Sequence, residues 1–414
     1  MKQAPSSPAA PVPLSSDQDS WVPLGITLAI QAMVAMSLLA LPVMAPEVTR
    51  ALQVSPSWVG AYMSLGYIGA IAGSLLGGSA CRRWGAIRVS QAGLVVCALG
   101  LLLCAVPWLP VMALGALLIG LGYGPITPAS SHVLARTTPA HRRSLVFSIK
   151  QTGVPVGSML AGATVPSVML ALNWHAGLLM VALLCLLCAL ASQPLRAELD
   201  SDRLGGVAQV DSGPLASMKL VLSHPTLATM AACSFLFCSV QISLSTYLVT
   251  FLHQDLAYTL VGAGLVLAFV QMGGVGGRIA WGYMADRWLG ALPMLIVLAA
   301  LMGVCALGTA ALGPDSPRAL VLLILVVFGA SAIGWNGVYL AEVARLAPPG
   351  MAGVATGGTL AFTFSGAVLG PFCFGLLSEQ FGAYRGAYVV LAVVAAVAVS
   401  LLLWTLRKTR LARL

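Results

Sequence analysis

The stretch "GYMADRW" (residues 282–288) closes a long apolar run, and its outline stands some two hundred residues earlier as "GSACRRW" (residues 78–84). Each copy is a glycine, three residues, a charged pair and a tryptophan. The two glycines, Gly78 and Gly282, are 204 residues apart (282 − 78). A second pair has nearly the same offset. "VLARTTP" (133–139) and "EVARLAP" (342–348) place Arg136 and Arg345 209 residues apart (345 − 136). A Gly-rich stretch follows each of these, "GVPVGSMLAG" (153–162) and "GAVLGPFCFG" (366–375). Two matched features at almost one offset identify an internal repeat.

The repeat is embedded in a very apolar chain. Of its 414 residues, 59% are hydrophobic and 8% charged. A soluble domain carries about 25% charged residues, so most of this chain has to sit in lipid. A net charge of +9 suits a nucleic-acid partner only when it forms one solvated face. Here the charges fall in short clusters between apolar runs, so no nucleic-acid partner is expected. A spanning helix needs about 20 mainly apolar residues, and twelve such runs occur. They include 57–80, 110–135, 145–171, 225–251, 259–284 and 319–345. The alternating ten-residue segments of a membrane barrel are not seen. The expected fold is an all-α membrane protein, twelve transmembrane helices in two six-helix pseudo-symmetric halves.

Domain organisation follows. Residues 1–21, rich in Pro, Ser and Ala, are read as a disordered tail without the marks of a signal peptide. The halves are 22–193 and 224–405. A polar, Gly-containing linker, 194–223, joins them, and 406–414 is a basic tail. Lys and Arg concentrate on the cytoplasmic side of a membrane protein. On an alternating path Arg82, Arg83, Arg88, Arg136, Arg142, Arg143, Arg287 and Arg345 share one side with the linker and both termini. The other side keeps Arg50, Arg318 and Arg385. Both termini are therefore expected in the cytoplasm, with the chain in the inner (cytoplasmic) membrane as a multi-pass protein and a monomer.

With twelve spans, a central loop and G-x-x-A-D-R after the second span of a half, the chain resembles the major facilitator superfamily over almost its whole length after Val22. The resemblance implies a secondary transporter working by alternating access between its halves, with the lipid bilayer, a small-molecule substrate and a proton or counter-solute as partners. In that family the Asp of the cassette is a latch on the inner side. Asp286 fits that role. Arg82, in "GSACRRW", reverses the charge at the equivalent position. Gly78, Arg82, Arg83, Gly282, Asp286, Arg287, Arg136, Glu342 and Arg345 are the expected gating residues.

Ionisable groups inside spans are rare because each costs on the order of 3 kcal/mol on insertion scales. Arg278 is the strongest candidate for chemistry. It either snorkels or pairs locally, or binds an anionic substrate, for which its planar guanidinium is suited. "GRIAWGYMADR" (277–287) is similar to the eighth span of oxalate/formate and monocarboxylate carriers. That similarity maps the Arg contacting the substrate carboxylate onto Arg278. Lys150, in "SIKQTG" (148–153), either snorkels or joins the cavity beside Gln151. Glu342 either pairs with Arg345 or Arg287 to hold the inner gate, or carries a coupling proton. His132 is the other proton candidate, or else a packing residue. Gln31, Tyr123, Tyr247, Gln271, Asn336 and Tyr339 complete the expected substrate-binding set, with Gln241 and Trp335 as neighbours.

No metalloprotease or phosphate-loop motif occurs, so no enzyme activity, metal or cofactor is expected. The leading function is transport of a small polar solute, an organic anion such as a carboxylate. The alternatives are efflux of drugs or cations, which calls for an acid deep in the first half, and a non-transporting membrane sensor.

Overall fold

The computed structural model describes residues 21–54, 58–201, 215–381 and 383–411. Nearly all of the expected N-terminal tail, linker residues 202–214 and residues 412–414 lie outside the described residues. Among those described, twelve helices are long and apolar enough to cross a membrane. In the first half they are Trp21–Met44, Ala61–Trp84, Ala86–Cys104, Leu109–Thr137, Ala140–Ala171 and Trp174–Ala191. In the second they are Pro225–Gln254, Leu265–Leu289, Ala291–Ala311, Arg318–Leu346, Ala352–Phe381 and Tyr384–Lys408. They are called the first to twelfth spans. Two large apolar clusters form the core, one within the first half and one that fills the second and reaches Val146 and Phe147 of the fifth span. One surrounds Tyr62, Leu94, Ile119 and Leu178, the other Phe237, Phe328, Trp335 and Tyr388. Successive spans alternate in direction, so the Arg clusters fall at one end of the bundle, the basic end.

The repeated cassette turns the chain there in both halves. The third and ninth spans each begin after a glycine with positive φ, Gly85 at 94° and Gly290 at 82°, a conformation that other L-residues avoid. Gly78 and Gly85 are 7 residues apart (85 − 78), whereas Gly282 and Gly290 are 8 apart (290 − 282). The extra residue is absorbed by a single π-helical turn, Ala285–Leu289. The Gly290 amide donates to the Ala285 carbonyl, five residues back, at 2.8 Å. Its counterpart Gly85 donates to Cys81, four back, at 2.9 Å. A one-residue insertion thus becomes a π-bulge, and it carries Asp286.

Three spans are broken near mid-depth. The fourth divides into Leu109–Tyr123 and Ile126–Thr137, around Gly124 and Pro125. The fifth divides into Arg143–Gln151 and Gly153–Ala171, just before Pro155. The tenth divides into Arg318–Gly334 and Asn336–Leu346. Proline lacks the N–H that a continuous helix uses, which accounts for the first two. Irregular backbone at membrane depth is tolerated where it lines a cavity or is buried in protein.

The described part of the linker is tied to the bundle. Ala216–Ser223 is a helix, and Ser217 Oγ donates to the Leu75 carbonyl of the second span at 3.0 Å. Asp200, 3% exposed, accepts from the amides of Ile87 at 2.8 Å and Arg88 at 3.1 Å. A carboxylate at a helix start satisfies its orphan N–H groups and its dipole. The linker was expected only as a polar connection; this capping role comes from a carboxylate brought back onto the third span.

Candidate functional site

A cavity of about 800 Å³ lies between the halves. Its lining comes from the first, second, fourth and fifth spans on one side and the seventh, eighth, tenth and eleventh on the other. Leu39, Tyr67, Ser158, Ser245 and Ala268 place it toward the end remote from the Arg clusters. Thr127, Gln151, Arg278 and Asn336 form its mid-depth floor.

Arg278 is 3% exposed and lies near the middle of the eighth span. Its Nε donates to the Ile333 carbonyl at 3.0 Å, and its Nη1 donates to the Gln151 carbonyl. Both acceptors lie beside a helix break: Gln151 ends the first segment of the fifth span, and Ile333 is one residue from the end of the tenth span's first segment. The last carbonyls of a helix have no intrahelical partner and carry the negative end of its dipole. The two breaks therefore hold a guanidinium deep in the membrane without a carboxylate. They occupy two of its five N–H donors. No acidic side chain lines the cavity among the described residues.

Lys150 is a second buried cation, 1% exposed. Its Nζ donates to Gln31 Oε1 at 2.7 Å, Gln151 Oε1 at 3.0 Å and Thr127 Oγ1 at 3.4 Å. Lys150 therefore does not snorkel. It stands one layer behind the wall formed by Gln151 and Thr127. Gln151 joins the two cations, its main-chain oxygen on Arg278 and its side-chain oxygen on Lys150.

Of the expected substrate residues, Arg278, Tyr123, Gln151, Gln271 and Asn336 line this cavity, as does Gln241. Asn336 Nδ2 and Trp335 Nε1 both donate to Gln241 Oε1, at 3.3 and 3.0 Å. Four residues lie outside the lining, each for a packing reason. Gln31 is fully buried against Lys150 and Thr127. Lys150 is screened as described. Tyr247 packs on Phe374 and Tyr384, with ring centroids 5.0 and 6.0 Å away. Tyr339 donates its hydroxyl to the Met230 carbonyl at 3.0 Å. Tyr67, Thr127 and Phe364 line the cavity and were not singled out in the sequence. Thr127 had a usable signal in its place just after the Gly124-Pro125 break. Tyr67 and Phe364, on the second and eleventh spans, carry no such signal.

The expected gating residues gather at the basic end. Asp286 accepts from the amides of Ser144 at 3.0 Å and Leu145 at 2.7 Å, so a carboxylate of the second half caps a helix of the first. A Cβ on Gly282 would collide with Ser148 and the Ser144 carbonyl, and one on Gly78 with Val354 and the Gly353 carbonyl. The two cassettes thus pack on the starts of the fifth and eleventh spans in the same way. Their charged positions differ: Arg82, half-buried, makes no hydrogen bond or ion pair among the described residues. Arg83 lies over the ring of its neighbour Trp84, 5.7 Å from the centroid. Glu342 pairs with Arg345 through both oxygens, at 2.6 and 2.7 Å, rather than with Arg287. Arg136, the repeat mate of Arg345, donates instead to the Leu199 carbonyl at 2.7 Å. His132 is buried at the same end and packs beside Gly353 of the eleventh span.

Two six-helix halves around a central polar-floored cavity define a multi-pass membrane transporter. The family model of the Major Facilitator Superfamily matches residues 27–371, and the chain belongs to that superfamily. It is similar to human monocarboxylate transporter 11, 27% identical over 367 residues, which are 85% of this chain and 74% of that protein. It is also similar to a gallate transporter of Pseudomonas putida, 26% identical over 319 residues, 70% of this chain and 69% of that one. In fold it matches an E. coli fucose:proton symporter with a TM-score of 0.77 at 16% identity, covering 94% of this chain and 99% of the other. The family and fold are those of secondary transporters of small molecules, not of enzymes.

Proposed function

We propose that this chain carries a small organic anion, a carboxylate, across the inner membrane by alternating access, with both termini in the cytoplasm and the monomer as the working unit. Arg278 carries the reading. A buried guanidinium with donors to spare lines the central cavity, and no acid among the described residues there neutralises it. Two helix ends offset part of its charge; the carboxylate of a substrate supplies the rest, in the planar geometry that a guanidinium favours. Lys150 reinforces the positive floor from behind. A lining without an acid among the described residues disfavours a cationic substrate. Relatives whose names state monocarboxylate and gallate transport agree with an anionic one.

In this arrangement the basic end is shut by the Asp286 cap and the packed glycines, and the cavity is reached from the opposite side. Transport then requires that these contacts part while the far end closes. Movement is coupled to a proton or to exchange with a second solute.

The test is uptake into proteoliposomes of labelled carboxylates, a neutral sugar and an organic cation, by counterflow and under a pH gradient. Counterflow of a carboxylate alone supports the reading. Counterflow of only the neutral or cationic compound overturns it.

A further inference from the structure

The floor of the cavity suits a charged head, whereas its wall is of a different kind. Phe364 of the eleventh span has its ring centroid 6.0 Å from Tyr67 of the second span and 6.0 Å from Tyr123 of the fourth. All three rings line the cavity, and they come from both halves. They are tilted by 37° and 56° rather than stacked; Phe364 is largely buried against the two tyrosines, and all three keep part of their surface on the cavity. Met159 and Met272, both well exposed, share the lining. A thioether beside a ring is itself a favourable contact.

The polar edges of this wall are free. The Tyr67 and Tyr123 hydroxyls have no hydrogen-bond partner among the described residues. Tyr123 and Arg278 line the same cavity, as does Thr127 of the floor, four residues beyond Tyr123 on the fourth span. The aromatic wall and the cationic floor therefore adjoin.

Size and lining narrow the ligand. A water molecule takes about 30 Å³ of liquid, so about 800 Å³ holds far more than a two- or three-carbon acid. A sugar would need hydrogen-bonding groups all round, whereas above the floor the lining is mainly apolar and aromatic, with Ser158, Ser245, Thr363 and the two tyrosine hydroxyls as scattered polar groups. The remaining class has one anionic group and a flat apolar body. Ring pairs with centroids about 4.5–7 Å apart attract beyond the area they bury, and the spacing of the trio falls in that range.

We propose that the substrate is an aromatic carboxylate, its carboxylate on Arg278 and its ring against Phe364 between Tyr67 and Tyr123. Polar ring substituents meet the two tyrosine hydroxyls. The proposal rests on the anion reading above and adds the aromatic body.

The experiment measures binding by the purified full-length chain, from thermal protection and competition, with three probes. Benzoate has charge and ring, cyclohexanecarboxylate has the same charge and similar size without a π face, and benzyl alcohol has the ring without the charge. On the unaltered chain benzoate is expected to bind about 2- to 12-fold more tightly than cyclohexanecarboxylate, and benzyl alcohol far more weakly. Phe364→Leu, which keeps an apolar side chain, is expected to bring the ratio of the two acids close to one.

Equal affinity for both acids with benzyl alcohol inert overturns the aromatic assignment and leaves the anion reading standing. Benzyl alcohol binding as well as benzoate overturns the anion reading, and the aromatic carboxylate with it. Binding of none of the three overturns both. A benzoate preference unchanged by Phe364→Leu removes Phe364, and with it the proposed site.

Discussion

Replacing Asp286 should open the basic end by a predictable amount. Its carboxylate takes the amides of Ser144 and Leu145 at 3.0 and 2.7 Å. These are first-turn donors of the helix Arg143–Gln151, which have no intrahelical acceptor. Losing a cap costs about 0.5–2 kcal/mol net of solvation, and losing the charge–dipole attraction about 0.3–1 kcal/mol more. Donor and acceptor belong to different halves, so the interaction exists only while this end is closed. The whole of its free energy, about 1–3 kcal/mol, therefore acts on the conformational equilibrium, a factor of roughly 5 to 150. Asp286→Asn keeps one acceptor and should give about half the free-energy change. The assay is labelling by a membrane-impermeant maleimide of single cysteines at Ser158, on the cavity wall, and at Ala341, 3% exposed near the basic end. Cys238 and Cys373 are replaced by serine, since one lines the cavity and the other is exposed. Asp286→Ala should raise labelling at 341 and lower it at 158. A change under twofold, or one in the opposite sense, would refute the latch.

Three further outcomes follow from the same contacts. Arg82→Asp should restore a cap in the first half, because Gly78 already packs on the start of the eleventh span; labelling at 341 should fall, by a factor similar to that gained in Asp286→Asn, and an unchanged or higher value would contradict this. Lys150→Met should leave the protein folded, since removing a buried charge relieves desolvation, while carboxylate affinity falls on the order of 10-fold as Gln151 and Thr127 lose their donor; an unaltered dissociation constant with unchanged thermal stability would exclude Lys150 from the site. Glu342→Gln should lower the thermal midpoint and reduce pH-driven uptake and counterflow together, because both Glu342 oxygens are committed to Arg345; loss of pH-driven uptake with counterflow intact would make Glu342 the proton carrier instead.

The spans were legible because a helix that must hide its backbone in lipid needs a run of about 20 apolar residues, and nothing else in the chain resembles one. Their ends were less so. The fifth span begins at Ala140, not 145, because Arg142 and Arg143 mask a helical turn that Asp286 stabilises from the other half. The break at Pro125 is written in the sequence and the one at Trp335 is not; Gly334 and Gly337 let the eighth and fifth spans press close there, and that depends on how the spans assemble. Arg278 stood out because charge in an apolar run is rare. Gln31 and Tyr339 stood out as neutral polar groups in apolar runs and serve helix contacts instead, since polarity states that a partner is needed but not which. Tyr67 and Phe364 could not be read at all. An aromatic residue suits lipid, core and cavity equally, and only the assembled halves bring these two together.

The role proposed for Arg278 is to bind the anionic group of the substrate. It is tested most directly by equilibrium binding of a labelled carboxylate to the purified chain with Arg278 intact, Arg278→Lys and Arg278→Ala. A charge-assisted contact is worth about 1.5–3 kcal/mol, so the alanine variant should bind about 10- to 150-fold more weakly. Lysine keeps the charge without the two-pronged geometry and should fall between. Carboxylate affinity within twofold of the unaltered chain in the folded alanine variant would contradict the account.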